Sequence, residues 1–518
     1  MLSRYTNVAE FLLEDKTAEH IALRMVGREC TYGEVTSAAA AIAGYLTEIA
    51  GAKGERAILA SDNSLFWVAA YLGTLRAGLV CVPLPATLSS EEIDYILQAT
   101  EARIIFAEAG FAMKNQQHFR GCHLVTDSEI LPVQNVLSQQ SFVCLSSNAG
   151  NVASAFPRTD DRDLAALMFT SGSTGKPRGV MVSHANIIAN TNSIIDYLKL
   201  TTADRIMTVL PFHYCFGASL LHTHIRVGGS LVIDSRFMYP EVVLQRMIDT
   251  GCTGFAGVPS HFQILLRRSS LRQKRFPQLR YVQQAGGHLA PGFIRELRDA
   301  LPGTAIFVMY GQTEATARLS YLPPELIDDK LGSIGKGIPG VKLRVLTEAG
   351  EEVGPGEVGQ IVAEGENVTL GYWRAPLESA ASFRSGKLYT GDLARVDKDG
   401  FIYIVGRSKD FLKCGGMRVS CRQLEERVLE FEGVTEAAII GIPDDVLGDA
   451  VKLFIVPRNH ASPNIEERLR SFCKEHMPPQ CVPKEIVVLQ ALPKNSAGKV
   501  LKENLKVLPS SAQFVATL

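Results

Sequence analysis

The chain has 518 residues, enough for roughly two to four domains, each with its own core. Apolar content of 46% and charged content of 21% are those of a folded globular protein, which excludes a disordered or fibrous chain. A formal net charge of -1 leaves nothing to draw the whole molecule to nucleic acid or an anionic membrane.

Acids interrupt the apolar residues of the opening "MLSRYTNVAEFLLEDK", so no signal peptide is expected there. No run of about 18 apolar residues follows, so no membrane-spanning helix is expected and the cytoplasm is the expected location. Ten cysteines without CxxC pairs predict reduced, mostly buried thiols. Cys414 and Cys421 lack partners at metal-ligand spacing, so no zinc site is expected.

In chain order, "RAILAS" (56–61), "GLVCVPL" (78–84), "ARIIFAE" (102–108), "AALMFT" (165–170), "SLVID" (230–234) and "AIFVMY" (305–310) read as buried strands. Helical stretches alternate with them, such as "VAAYLGTLRAG" and "NIIANTNSIIDYL"; in the latter Ile187, Thr191, Ile194 and Leu198 share a face. The alternation predicts α/β layers with parallel sheet. Around 330–405 short β-like pieces between Gly-rich turns predict a smaller β-rich subdomain. "GRSKDFLKCGG" (406–416) breaks that pattern, and a βα texture follows, with strands at "AAIIGI" and "VKLFIVP" and a helix at "NIEERLRSFCKEHM" ended by Pro478 and Pro479. The expected fold is α/β: a large N-terminal domain over 1–408, a small α+β C-terminal domain over 409–508, and a loose tail over 509–518.

"FTSGSTGKPRGVMVSH" (169–184) concentrates glycines, hydroxyls and one lysine. It is not a Walker P-loop, because Pro177 follows Lys176 and only two residues separate Gly172 from Gly175. "PRG" predicts a turn into another strand rather than a helix. The physics is nonetheless that of phosphate binding. Glycines let backbone N–H groups converge on an anion, Thr170, Ser171, Ser173 and Thr174 add donors, and Lys176 adds charge.

This loop resembles the signature of the adenylate-forming superfamily, which includes acyl-CoA synthetases, peptide-synthetase adenylation domains and beetle luciferases. "YGQTEA" (310–315), "YTGDLARVDKDGFIYIVGRSKD" (389–410) and "PKNSAGKVLK" (493–502) resemble its later motifs, in the same order. The resemblance runs from "TYGEV" (31–35) onward. It implies a large N-terminal and a small, mobile C-terminal domain, with ATP, Mg²⁺ and a pantetheine thiol as reactants.

By that resemblance Thr170, Ser171, Gly172, Ser173, Thr174, Gly175 and Lys176 would hold the β- and γ-phosphates. Within Tyr310, Gly311, Gln312, Thr313 and Glu314, Thr313 would contact the α-phosphate and Glu314 would ligate Mg²⁺. Asp392 would accept from the ribose hydroxyls, and Arg407 would assist there. Gly286, Gly287 and His288 would lie beside adenine, although a plain strand and turn also fits them. Lys499 would neutralise charge developing between carboxylate and α-phosphate. Lys409 would be the hinge, and Gly415 and Gly416 would pass the pantetheine arm.

"LPFHYCFGAS" (210–219) matches the start of the acyl pocket, with His213 as the gate between pocket and thiol tunnel and Tyr214, Val258, Ser260 and Gly311 as walls. No Asp stands in this window to pair with an ammonium, so an α-amino acid is disfavoured. Fatty, branched and aryl acids stay open. The acceptor is expected to be coenzyme A, with the phosphopantetheine of an acyl or peptidyl carrier protein as the alternative. "RRSSLRQKR" (267–275) would suit either partner, or be a solvated basic face. Cys421 and Ala497 depart from the commoner family pattern without removing a reacting group.

Overall fold

The computed structural model describes residues 5–49, 52–127, 157–170, 177–407, 411–444, 447–458, 464–494 and 500–508. Among these residues there are four sheets. The first runs His123–Thr126, Ile104–Ala107, Arg56–Ala60, Val80–Leu84, Leu164–Thr170 and Arg178–Ser183 in spatial order. All neighbours are parallel except the last pair, which forms an antiparallel hairpin. The second sheet has nine strands. Six central ones are parallel, from Ala305–Tyr310 through Tyr281–Gln284, Gly254–Gly257, Arg205–Thr208 and Ser230–Ile233 to Ile21–Met25. Antiparallel strands close both edges.

The strands at Val80–Leu84, Ile104–Ala107 and Ser230–Ile233 are buried at every position, which is why they read as unbroken apolar runs. One core cluster joins the two sheets, with Cys81 and Phe106 from the first and Leu231, Tyr281, Phe307 and Met309 from the second. The helix Leu65–Arg76 belongs to that core and is buried from Leu65 to Leu75, consistent with its apolar residues all round. The helix His184–Leu198 buries Ile187, Thr191, Ile194 and Leu198, as the helical spacing predicts. Pro240, Pro259 and Pro291 each open a helix of the second sheet's other face, where the fixed φ and missing N–H cost nothing.

The third sheet is wholly antiparallel: Lys342–Leu346, Val358–Glu364, Lys387–Val396, Phe383–Arg384 and Ile402–Arg407. The fourth begins at Phe411–Cys414 and adds Met417–Ser420, Val434–Asp444, Gly448–Pro457 and Glu485–Val488. The helices Cys421–Leu429 and Ile465–His476 complete its core. The latter ends at His476, before Pro478 and Pro479. Lys409 and the 509–518 tail lie outside the described residues.

Candidate active site

Thr170 ends its strand paired with Arg178, so the phosphate-loop motif caps a β-hairpin and continues into strand, as "PRG" predicts. Ser171, Gly172, Ser173, Thr174, Gly175 and Lys176 lie outside the described residues.

Tyr310 closes the strand Ala305–Tyr310, and the chain then turns through a 3-10 turn at Thr313–Ala315. At Thr316 φ is +66° and ψ is -61°, and the Ala317 N–H donates to the Ala315 carbonyl across 2.7 Å. This is a γ-turn of the rare positive-φ kind, strained for a β-branched residue. The Thr316 hydroxyl is tied to the Asn367 carbonyl at 2.7 Å, which holds the turn. The turn folds the Ala317 carbonyl over Gly311, where a Cβ would stand 1.9 Å from that oxygen; only glycine fits. Strain of this sort persists where surrounding structure over-determines it, commonly at functional sites.

Beside this turn Glu314 Oε1 accepts from the Tyr372 hydroxyl at 2.8 Å. Burial, then the Glu314 carboxylate, raises the Tyr372 phenol to about 12, which keeps it a donor. The Glu314 carbonyl accepts from both N and Oγ1 of Thr369. Thr313 Oγ1 lies 3.5 Å from Cys215 Sγ. The Gln312 side-chain nitrogen is buried and has no hydrogen-bond partner among the described residues.

Asp392 and Arg407 face each other in register on adjacent strands. Arg407 Nε donates to Asp392 Oδ1 at 2.9 Å, and the Tyr310 hydroxyl donates to Oδ2 at 2.6 Å. Burial, then the Asp392 charge, raises the Tyr310 phenol well above its ordinary value. A carboxylate pinned on both oxygens by a charged and a neutral donor is pre-oriented as an acceptor.

His213 precedes the helix Cys215–Val227, whose N-cap is Tyr214; the two rings lie 4.5 Å apart. Burial lowers the His213 imidazole to about 4, so it is neutral at pH 7. Gly286 has φ +82° and lies against Val258, where a Cβ would meet Cγ1 at 2.9 Å. Val258 caps the helix Pro259–Arg268, and Ser260 is buried in its first turn. Gly287 approaches Pro259. His288 turns elsewhere: Nε2 is 2.5 Å from Glu426 and Nδ1 is 2.5 Å from Arg422, both on the helix Cys421–Leu429.

Lys499 lies outside the described residues, but the residues flanking its segment are paired, with Lys494 bridging Val500. Lys494 forms an ion pair with Glu436 at 2.6 Å and is close enough to His261 to oppose that ring's protonation. His261 sits on the helix that Val258 and Ser260 begin. The stem of the lysine segment is thus brought to the expected pocket helix. Gly415 and Gly416, with φ of +57° and +80°, form the turn between two strands of the fourth sheet. A Cβ on Gly415 would meet Gln480 and Leu447 of that same unit, whereas one on Gly416 would stand in open space.

A small internal cavity of about 20 Å³ lies between the helices Leu65–Arg76, His184–Leu198 and Cys215–Val227. Trp67, Phe212, Cys215, Ser219, Thr316 and Ala317 are among its walls. Sequence reasoning named the residues flanking these walls, His213, Tyr214 and Gly311, but missed the walls themselves. Val258 stands beside Gly286, and neither it nor Ser260 is among the walls of this cavity. The signal for Thr316 and Ala317 was available, since they directly follow "YGQTEA". Tyr372 had none, because it reaches Glu314 from 58 positions away. The basic run at 267–275 is partly neutralised: Arg267 and Arg272 share Glu296, and Lys274 approaches Glu241.

Residues 13–373 match the family model of AMP-binding enzymes, and 423–499 match that of the AMP-binding enzyme C-terminal domain. The chain belongs to the AMP-binding enzyme family, the adenylate-forming superfamily. A long-chain-fatty-acid–CoA ligase of Salmonella typhimurium is 29% identical over 97% of this chain and 94% of its own length. A 2-succinylbenzoate–CoA ligase of Geobacillus is 28% identical, covering 97% and 98%. Among solved structures, the o-succinylbenzoate CoA synthetase of Bacillus subtilis with its acyl-adenylate superposes with TM-score 0.84 at 26% identity, over 98% and 99% of the two chains. The same enzyme with ATP and magnesium gives 0.82 at 26% identity, over 96% and 99%.

The residues present fit a nucleotide. Asp392 is held as an acceptor by Tyr310 and Arg407, and Gln312 offers a buried donor with no partner among the described residues. They also fit a Mg²⁺ ion carried by the phosphates, to which Glu314 would offer a hard oxygen ligand. No helix among those residues is long and apolar enough to cross a membrane.

Proposed function

We infer that the chain is an AMP-forming ligase joining a carboxylic acid to coenzyme A. The observation that carries this reading is the convergence of Tyr310, Asp392 and Arg407 at the end of the strand that leads into the 3-10 turn bearing Thr313 and Glu314. In the first half-reaction a carboxylate oxygen attacks the α-phosphorus of ATP, and pyrophosphate leaves with the bonding pair. Asp392 orients the ribose, Thr313 donates to the α-phosphate, and residues 170–176 hold the β- and γ-phosphates. Glu314 would hold a Mg²⁺ ion on the triphosphate, which when bound would offset charge on the departing pyrophosphate. Lys499 neutralises charge between carboxylate and phosphate. In the second half-reaction the thiolate of coenzyme A attacks the acyl carbon and AMP departs.

Residues 1–408 form the adenylating unit and 409–508 the unit that turns about Lys409. The stem of the Lys499 segment lies against the pocket helix while the Gly415–Gly416 turn packs within its own unit, which supports a pose suited to adenylation. After rotation that turn would pass the pantetheine arm. Neutral His213 gates the pocket as an uncharged ring, adding no cation that would hold the carboxylate back. A carrier protein is not favoured as acceptor, since Glu296 satisfies two of the arginines that would grip an acidic surface. Coenzyme A and ATP are small cytosolic solutes, and the cytoplasm is the proposed location.

The test is pyrophosphate release over a panel of carboxylic acids, with and without coenzyme A, and mass spectrometry of the product. Acid-dependent release with an acyl-CoA product is expected. Adenylate accumulation without thioester, whatever the coenzyme A concentration, would overturn the acceptor.

A further inference from the structure

The helix Cys421–Leu429 belongs to the C-terminal unit, yet it reaches across to the N-terminal one at both ends. Arg422 and Glu426 stand one turn apart on it, and Arg422 Nε donates to Glu426 Oε1 at 3.0 Å. Arg422 Nη2 also donates to His288 Nδ1 at 2.5 Å, and His288 Nε2 lies 2.5 Å from Glu426 Oε1. An arginine only donates, so Nδ1 is the acceptor nitrogen and the ring proton sits on Nε2, facing the carboxylate. Burial first, then the Arg422 charge, lowers the His288 imidazole from its ordinary value, so the ring is neutral at pH 7. The side chains of Arg422, His288 and Glu426 are 17%, 22% and 30% exposed, so water screens this closed triangle only weakly. At the helix's other end Leu429 packs against the core on the second sheet's outer face.

The triangle stands between two parts of the nucleotide site. His288 directly follows Gly286 and Gly287, and Gly286 lies against Val258 at the head of the pocket helix. On the other side, burial lowers the Arg422 guanidinium while Glu426 and then Asp392 oppose it, so the expected ribose acceptor is within electrostatic reach. Resting on the ligase reading above, we propose that Arg422 and Glu426 are positioning residues for adenylation: with His288 they latch the C-terminal unit onto the N-terminal one and keep the Lys499 segment at the pocket. The latch then opens before the thiol is received. Its chemistry suits a contact broken and remade in every turnover. Arg422 and Glu426 are partners on one helix, so they travel together when the units part, and the group left behind is a neutral ring. Opening therefore strands no buried charge, whereas parting a purely apolar seam would expose its whole area to water.

The experiment compares the full-length wild type with Arg422→Met, His288→Leu and the double variant. Three quantities are read: acid-dependent pyrophosphate release, thiol transfer from supplied acyl-adenylate, and hydrogen–deuterium exchange by mass spectrometry without substrates. Each single variant should slow adenylation about ten-fold, the scale of hydrogen bonds to a charged group, with the loss in kcat rather than in the ATP KM. Thiol transfer should stay as fast as in wild type or become faster. The double variant should be no slower than the worse single one, because either substitution already opens the latch. Exchange should rise over 285–289 and 421–429, while the strand Gly448–Pro457 inside the C-terminal core stays as protected as in wild type. Unchanged adenylation, parallel loss of both half-reactions, additive effects, a rise in ATP KM alone, or faster exchange throughout the C-terminal core would each overturn the proposal and leave the ligase reading intact. A wild type that releases pyrophosphate with no acid sinks the ligase reading. Exchange then decides the latch alone: a local rise in the variants retains it as a clasp between the units, and no rise sinks it too.

Discussion

The Tyr310 hydroxyl meets Asp392 Oδ2 across 2.6 Å and so ties the end of a strand in the nine-stranded sheet to the middle of a strand in the third sheet. That contact makes Asp392, the proposed ribose acceptor, part of two structural layers. Asp392→Asn removes the ionised acceptor and should raise the ATP KM by about 10- to 100-fold, as expected for hydrogen bonds to a charged group. Tyr310→Phe removes only one neutral donor and should cost about five-fold. ATP saturation curves for both variants decide this; equal effects, or a loss confined to kcat, would speak against the ribose role.

Gly311 lies under the Ala317 carbonyl with no room for a methyl group. Gly311→Ala should therefore push the γ-turn at Thr316 out of place and cost about 3 kcal/mol or more of stability. Chemical denaturation of the variant measures that loss. A midpoint equal to wild type would show that the turn yields cheaply.

The two half-reactions should separate at the C-terminal end. Lys499→Ala is expected to lower acid-dependent adenylate formation by about 100- to 1,000-fold, the scale of removing one transition-state donor. Thiol transfer from supplied acyl-adenylate should be largely retained. Parallel loss of both steps in single-turnover assays would remove Lys499 from its assigned role.

Lys409→Pro should do the reverse. Proline would fix φ at the proposed hinge and prevent the torsional change that rotation requires. Adenylate should accumulate with a burst of pyrophosphate while thioester output falls at least about ten-fold. Unaltered thioester output would place the hinge at another residue.

Acid should weaken the fold through its buried histidines. Burial lowers His184, His213 and His224 to about 4 and His222 and His261 to about 3, from an ordinary value of 6.5. Between those values the unfolded chain binds protons that the folded chain refuses. The stability associated with these rings is complete above about 6.5 and is lost as pH falls through about 4 toward 3. Melting temperatures should decline steadily from pH 7 to pH 4.5; a flat profile would mean that the rings gain protons without unfolding.

By itself the sequence determined every element whose information is local. Continuous apolar runs set the strands at Arg56–Ala60, Val80–Leu84 and Ala305–Tyr310, and the spacing of Ile187, Thr191, Ile194 and Leu198 set a buried helix face. Pro177 after Lys176 excluded a P-loop helix, and a strand does follow. The motif residues Tyr310, Thr313, Glu314, Asp392 and Arg407 were legible because their spacing survives in the chain as a signature. Only the tertiary structure decided which side chains complete them. Tyr372 reaches Glu314, and Glu426 with Arg422 reach His288, across 58, 138 and 134 positions that no local pattern encodes. Arg318 shows the same limit most sharply. In the sequence it is an ordinary arginine after a motif, and its charge becomes unusual only when sheets, helices and Phe216 close around it with no ion-pair partner among the described residues. Burial is a property of the packed whole, because each residue's exposure depends on every segment laid against it.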